Sequence, residues 1–302
     1  MRYAGAVRPR YVEQPCRTAL NRVEGMPFRW SLNPYVGCVH RCTFCYVRAF
    51  EARADRPSGD GYGAVIRVKT NVVEALAAEL SRPSWRRERI AIGTATDPYQ
   101  PAEGRYRLTR GCLEVLARAR TPASIVTRGP LVVRDIDVLR ALDRAAGVSV
   151  AISVPTLDER VWRATEPGTA PPRQRLRALE QLRAGGIEAG VALAPLLPGL
   201  TDGAASLAAV LRAAKAAGAA FVWASPLRLP EGTRAYFLAQ LAETWPALAA
   251  AYGRLYRGPN LPRPTRERIA QRAQAMAAEF GLPDERPAPR APEAVQLTLW
   301  ES

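Results

Sequence analysis

The stretch NPYVGCVHRCTFCYVR (residues 33–48) sets Cys38, Cys42 and Cys45 in a C-x3-C-x2-C spacing. Soft thiolates bunched this tightly on one loop can wrap a single metal ion or a cluster. A structural zinc site wants four ligands, and a fourth is hard to assign: His40 lies two residues from Cys38 and would have to fold back sharply. Three thiolates on a cubane [4Fe–4S] cluster leave one iron without a protein ligand. Such an iron can coordinate a small molecule and pass it an electron, which is chemistry rather than a staple.

Outward from this loop the chain alternates short β-branched runs with longer amphipathic stretches. Strands are expected at about 28–36, 64–69, 89–94, 123–128, 148–154, 188–196 and 220–225. Helices are expected at 71–80, 108–119, 132–145, 173–186, 204–218 and 231–243, with Asn71 as the N-cap of the first. About six β/α repeats mean parallel strands with helical crossovers. Periodicity alone fits either a barrel or an open doubly wound sheet. Residues 264–281 read as one more helix, and 282–294 as a Pro- and charge-rich extended linker before the apolar end VQLTLW (295–300). The division is an N-terminal segment (1–27), a β/α unit (28–260), a C-terminal helix (261–282) and a linker with tail (283–302).

Composition closes several doors. Five cysteines, three of them within eight residues, are no disulfide framework and suit a reducing cytoplasm. The N-terminus lacks the apolar core of a secretory signal. No run is long enough to span a membrane. The net charge of +15 favours a polyanion partner, nucleic acid above all. All but two of the 43 basic residues are arginine, a bias that codon composition also explains. Basic clusters stand at Arg82–Arg89 around Trp85, at Arg173–Arg177 and along Arg263–Arg272; any one of them also reads as a solvated helical face.

The cysteine loop resembles the signature of the radical S-adenosylmethionine (SAM) superfamily, C-x3-C-x-aromatic-C after a first strand, with Phe44 at the aromatic position. The resemblance implies an α/β fold: a partial (β/α)6 TIM-type barrel, here with a C-terminal helix and extended tail, and the cluster at the C-terminal mouth of its strands. It also implies a [4Fe–4S] cluster on Cys38, Cys42 and Cys45 and S-adenosyl-L-methionine on the open iron. Reductive cleavage then gives methionine and a 5′-deoxyadenosyl radical, with an electron from a flavodoxin or ferredoxin.

Further stretches look like the spore photoproduct lyase-like branch, often called DNA repair photolyase-like: GTATDPYQPAEGRYRLTR (93–110), VTRGPLVVRD (126–135), TEPGTAPPRQRL (165–176) and APLLPGLTD (194–202). Carried over by position, Thr96 and Asp97 face the methionine part of the cofactor, although Asp97–Pro98 also reads as a simple turn. Arg128, where the branch usually has lysine, could hold the cofactor carboxylate. Ser153 and Arg175 are placed for the carboxylate or ribose, and Leu196 and Gly199 for the adenine. His40 and Tyr46 are read as supporting the ligand loop. One departure stands out. The lyases carry a cysteine just before the Ser-Asp part of the second-strand loop, to return hydrogen to the product radical; here that stretch is Thr94-Ala95-Thr96-Asp97. Cys112 could take over the hydrogen transfer and Tyr99 could relay a radical, packing being the alternative for both.

Gln296, Leu297, Leu299 and Trp300 resemble the peptide with which bacterial repair and replication proteins dock on the sliding clamp, the alternative being a tail packed back on the barrel. The expected function is thus a radical SAM enzyme acting on DNA or nucleic-acid lesions. The alternatives are a radical enzyme for a protein or small molecule and a non-catalytic zinc module.

Overall fold

The computed structural model describes residues 9–283. The chain opens with β1 (Arg10–Gln14), β2 (Leu20–Arg22), β3 (Trp30–Leu32) and β4 (Tyr35–Val36). After the cysteine loop come α1 (Val47–Arg53), β5 (Val65–Lys69), α2 (Val72–Leu80), β6 (Ile90–Ile92), α3 (Pro101–Tyr106) and α4 (Leu108–Arg118). Next are β7 (Ala123–Thr127), a 3-10 segment (Pro130–Asp135), α5 (Ile136–Ala146), β8 (Val148–Ser153), α6 (Glu159–Thr165) and α7 (Pro172–Ala184). The chain continues through β9 (Ala189–Leu196), α8 (Ala204–Ala216), β10 (Val222–Pro226), α9 (Glu231–Thr244), α10 (Pro246–Leu255) and α11 (Arg263–Glu279).

The main sheet has the order β10-β9-β8-β7-β6-β3-β2, and only β2 is antiparallel to its neighbour. Strand order decides between the two candidate architectures. A doubly wound sheet reverses its order at a switch point. Here the six parallel strands β3, β6, β7, β8, β9 and β10 run side by side in chain order. Winding in one direction is the rule of a β/α barrel, and β10 and β2 stay unjoined, so the barrel is partial. All six residues of β8 are buried, because central parallel strands are covered on both faces.

The expected strand at 64–69 forms, but not in the barrel. As β5 it pairs in parallel with β1 and antiparallel to β4, in a separate three-stranded sheet beside the cysteine loop. The expected first strand divides at Asn33–Pro34: β3 enters the barrel, whereas β4 joins the small sheet. Asn71 stands at the N-cap of α2 but does not cap it. Its amide instead accepts from the Cys16 backbone N–H at 2.7 Å and donates to the Cys16 carbonyl at 3.1 Å. Between the expected strand at 89–94 and the expected helix at 108–119 the chain holds α3, which ends on a left-handed Arg107 (φ 54°). C-terminal helix α11 packs on α8 and β10, and Val222 N–H donates to Pro283 O at 2.9 Å. No helix among the described residues is long and apolar enough to cross a membrane.

Candidate cluster and cofactor site

Because every barrel strand points the same way, the segments that follow them converge at one end, where parallel barrels carry their sites. The cysteine loop lies there, held by backbone-directed contacts from three parts of the chain. From the segment after β6, Thr96 Oγ1 and Gln100 Nε2 donate to Gly37 O at 2.7 and 3.1 Å, and Val39 N–H donates to Gln100 Oε1 at 3.1 Å. From the end of α6 and the connection to α7, Thr165 O accepts from Thr43 N–H at 2.9 Å and His40 O accepts from Gly168 N–H at 3.0 Å. From α9, Thr233 Oγ1 donates to Cys45 O at 3.1 Å. Gly168 and Gly63 make room for the loop. A Cβ on Gly168 would strike Val39 O and the His40 backbone, and one on Gly63 would strike Cys38 O. Gly63 also takes φ +78°, which other residues rarely adopt.

The three thiols are free; Cys38 and Cys42 are buried and Cys45 is partly buried. Burial pushes the Cys38 thiol well up, as do the negative charges of Asp97 and of the other two cysteines. Burial raises Cys42 to about 12, although Arg128 and Arg175 pull it down. Thiols that burial and mutual repulsion keep protonated become anionic when a cationic iron or metal centre supplies the missing charge. Three free thiols on one short loop have the chemistry of a thiolate donor set, although among the described residues the three sulfur atoms are not gathered into a closed metal site.

Beside the loop lies a charge system that sequence reading only half identified. Glu166, fully buried, accepts from Arg128 Nε at 2.5 Å and from Arg175 Nη1 at 3.0 Å. Burial raises the Glu166 carboxyl, but the two guanidinium groups outweigh it and hold the group below its ordinary range. Arg128 also donates to Ala194 O at 2.9 Å and stacks over the Phe44 ring at 5.7 Å. Ser153 Oγ donates to that same carbonyl at 2.9 Å. Arg175, fully buried, donates to the carbonyls of Ser153 and Ala170 and to Thr169 Oγ1 as well as to Glu166. Four of its five N–H groups are thus taken up by protein groups, and it braces β8 against α7. Glu166 sits in TEPGT, a stretch already singled out; a lone acid in a loop carries no signal of its two partners.

Asp97 is likewise a hub. Its carboxylate accepts from Tyr99 N–H (2.9 Å), Thr127 Oγ1 (2.6 Å) and Arg128 N–H (2.7 Å), with His40 Nδ1 at 3.2 Å. Both oxygens are therefore taken, and the turn reading of Asp97–Pro98 is present in the Tyr99 contact. Burial raises the Asp97 carboxyl, but His40, Thr127 and the Arg128 amide together bring it down to about 2. The sign follows: a depressed native pKa stabilises the fold above the unfolded value and is lost as pH falls through the native one. Urea unfolding is expected to show about 2 kcal/mol of stability disappearing between roughly pH 4 and pH 2. Asp97→Asn should flatten that part of the profile; an unchanged slope would contradict the assignment.

Other expected residues fall into place unevenly. Thr96 is buried and its hydroxyl is tied to Gly37, with Gln100 donating to it at 2.8 Å. Tyr46 is 38% exposed and its hydroxyl donates to Thr94 O, linking the cysteine loop to the segment after β6. Asn33 donates to Thr94 Oγ1 at 3.1 Å and accepts from Ala95 N–H at 2.8 Å. Leu196 is core, and Gly199 forms a left-handed turn (φ 78°) whose N–H donates to Asp202 at 2.6 Å. Cys112 is fully buried in the core on α4, and burial pushes its thiol up, a setting that favours the packing alternative. Tyr99 is also buried, its phenol pushed up by burial and by the charges of Asp135 and Glu103. Gln296, Leu297, Leu299 and Trp300 lie outside the described residues.

The Arg82–Arg89 cluster leads into the N-terminal end of β6, opposite the cysteine loop. Trp85, partly buried, packs edge-on against Trp30 at 5.7 Å and donates to Thr121 Oγ1 at 3.0 Å.

A family model described as the Radical SAM superfamily matches residues 32–211. An uncharacterized protein of Mycobacterium bovis is 42% identical, over 94% of this chain and 86% of its own length. An uncharacterized protein of Methanocaldococcus jannaschii is 25% identical, over 58% of this chain and 62% of its own. Among solved structures, spore photoproduct lyase complexed with dinucleoside spore photoproduct superposes with a TM-score of 0.69 at 14% identity, over 89% of this chain and 79% of that one. A variant of that lyase with bound AdoMet and dinucleoside spore photoproduct gives a TM-score of 0.66 at 15% identity, over the same shares. At such identities the likeness is one of fold.

Proposed function

Since the chain belongs to the radical SAM superfamily of enzymes, we propose that it holds a [4Fe–4S] cluster on Cys38, Cys42 and Cys45, binds SAM there, and acts on a lesion in DNA. The observation that carries this reading is the cysteine loop itself, three thiols held by backbone clamps at the C-terminal mouth of a partial β/α barrel. When bound, the cluster and SAM together supply one-electron cleavage of the sulfonium and a radical able to abstract hydrogen.

The chain's own residues do the rest. Gln100, Thr96 and Thr233 fix the loop backbone, so the thiols keep their places through a redox cycle. Asp97 ties the ends of β6 and β7 to His40. Arg128 and Arg175 outnumber Glu166 and leave a net positive charge beside Cys42, which suits thiolate ligation there. Arg128 is the side chain here best placed to meet a carboxylate, since it borders Phe44 and keeps some exposure. By the resemblance, the stretch that begins at Thr94 takes the place of the lyases' hydrogen-returning cysteine, and the Thr94 hydroxyl bonds Asn33. A hydroxyl is a poor hydrogen-atom donor, so the product radical is closed by another donor than residue 94.

Support for DNA comes from the net charge of +15 and from the fold shared with a lyase solved with a dinucleoside photoproduct. The test supplies ultraviolet-irradiated or intact duplex to the reduced, SAM-supplied protein. Lesions should disappear in step with 5′-deoxyadenosine formation only in irradiated DNA. Affinity should fall steeply with salt, as phosphate contacts demand. Product formation without lesion loss, with salt-independent binding, would point to a protein or small-molecule substrate instead.

A further inference from the structure

Arg48, on the first turn of α1, is fully buried and pairs with no carboxylate among the described residues. The acid on the same helix, Glu51, serves Arg56 and Arg67 at 3.1 and 3.6 Å. Asp60, near by, accepts from the Tyr236 hydroxyl at 3.1 Å. Arg48 instead donates to four backbone carbonyls: Cys42 (3.1 Å), Arg41 (3.0 Å), Ser58 (2.7 Å) and Gly59 (2.7 Å). Its guanidinium lies between two rings, 4.5 Å from the centre of Tyr62 and 4.0 Å from that of Tyr236. Carbonyls and ring faces solvate such a cation but do not neutralise it, and a buried charge normally has a counter-charge. The anion that this site lacks is what three thiolates around a one-electron-reduced cluster would bring. Tyr62 connects the two. Its hydroxyl is 3.7 Å from Cys45 Sγ, where a thiolate leaves it only the role of donor, while its ring face carries the guanidinium.

We propose that Arg48 and Tyr62 set the reduction potential of the cluster held by the cysteine loop: Arg48 is its buried counter-cation, and Tyr62 hydrogen-bonds one of its sulfur ligands. Both favour the more negative, reduced state and so raise the potential, in line with how net charge and sulfur hydrogen bonds act on iron–sulfur centres. The step is one electron in, with no proton moved, because an arginine stays charged in either state. This inference rests on the cluster reading above, and both residues are positioning residues, acting through the ligands rather than on substrate.

The experiment is an anaerobic redox titration of the reconstituted full chain against mediators and dithionite, followed by electron paramagnetic resonance, with iron content measured alongside. Tyr62→Phe keeps the stacking ring and loses only the hydrogen bond. It should retain its iron, yet show a ratio of reduced to oxidised cluster roughly tenfold lower at a fixed potential near the wild-type midpoint, a shift of about 59 mV for one electron. Arg48→Gln should shift further in the same direction, and Arg48→Lys should fall between it and wild type. Should Arg48→Gln fail to fold, Tyr62→Phe decides alone. Iron-replete variants with the wild-type potential would overturn the inference and leave the cluster reading intact. A wild-type protein that takes up no cluster would overturn both.

Discussion

Alanine at Cys38, Cys42 or Cys45 is expected to leave a folded protein that neither retains four irons nor forms 5′-deoxyadenosine above background. The reason lies in how the loop is held. Its clamps use the backbone of Gly37, Val39, His40, Thr43 and Cys45, together with side chains from elsewhere, and none of them uses a sulfur atom. Removing one thiol therefore costs the cluster a ligand without releasing the loop. The loss should exceed the roughly 10–100-fold fall in metal affinity that follows loss of an outer hydrogen-bond partner. Iron analysis and circular dichroism on the same sample separate the two effects. Cys112→Ala, on the buried face of α4, is the control: its effect should fall on stability, with the iron retained. Iron retention by all three loop variants would show that the thiols are not the ligands.

Glu166→Gln is expected to destabilise the fold by about 3–5 kcal/mol, the range for breaking a buried ion pair from one side. The amide keeps the shape but removes the one negative charge between Arg128 and Arg175. Arg175 is fully buried, out of reach of bulk solvent. The damage should also reach the mouth of the barrel, because Arg128 and Ser153 share the Ala194 carbonyl and so join β7, β8 and β9. Chemical denaturation measures it. A loss under about 1 kcal/mol, the size of a surface pair, would mean that the three groups do not act as a unit.

The barrel was legible because its strands are short apolar runs separated by helical periods, and those patterns survive in isolation. What periodicity misassigned was the partner of a strand. Residues 64–69 alternate like a barrel strand, but β3 pairs directly with β6, and β5 pairs instead with β1 and β4. Short helices such as α3 and α6 escaped notice since one or two turns hold too few apolar positions to show a period. The three cysteines were legible for the opposite reason: their spacing lies within one loop. Glu166, Gln100, Arg48 and Tyr62 come from separate segments and meet only in three dimensions. Asp97 and Thr96 were found as residues, but their partners were not. Read alone, each offered a free polar group; in the fold their oxygens are bound to Gly37, Thr127, Tyr99 and Arg128. Carbonyl clamps of this kind leave no sequence mark, because any residue has a carbonyl.

The most direct test of the account is anaerobic reconstitution of the full chain with iron and sulfide, followed by dithionite and SAM. The account predicts a brown protein with about four irons per chain, an electron paramagnetic resonance signal on reduction, and 5′-deoxyadenosine and methionine formed in equal amounts. A colourless protein that holds one tightly bound zinc ion and leaves SAM intact would contradict it.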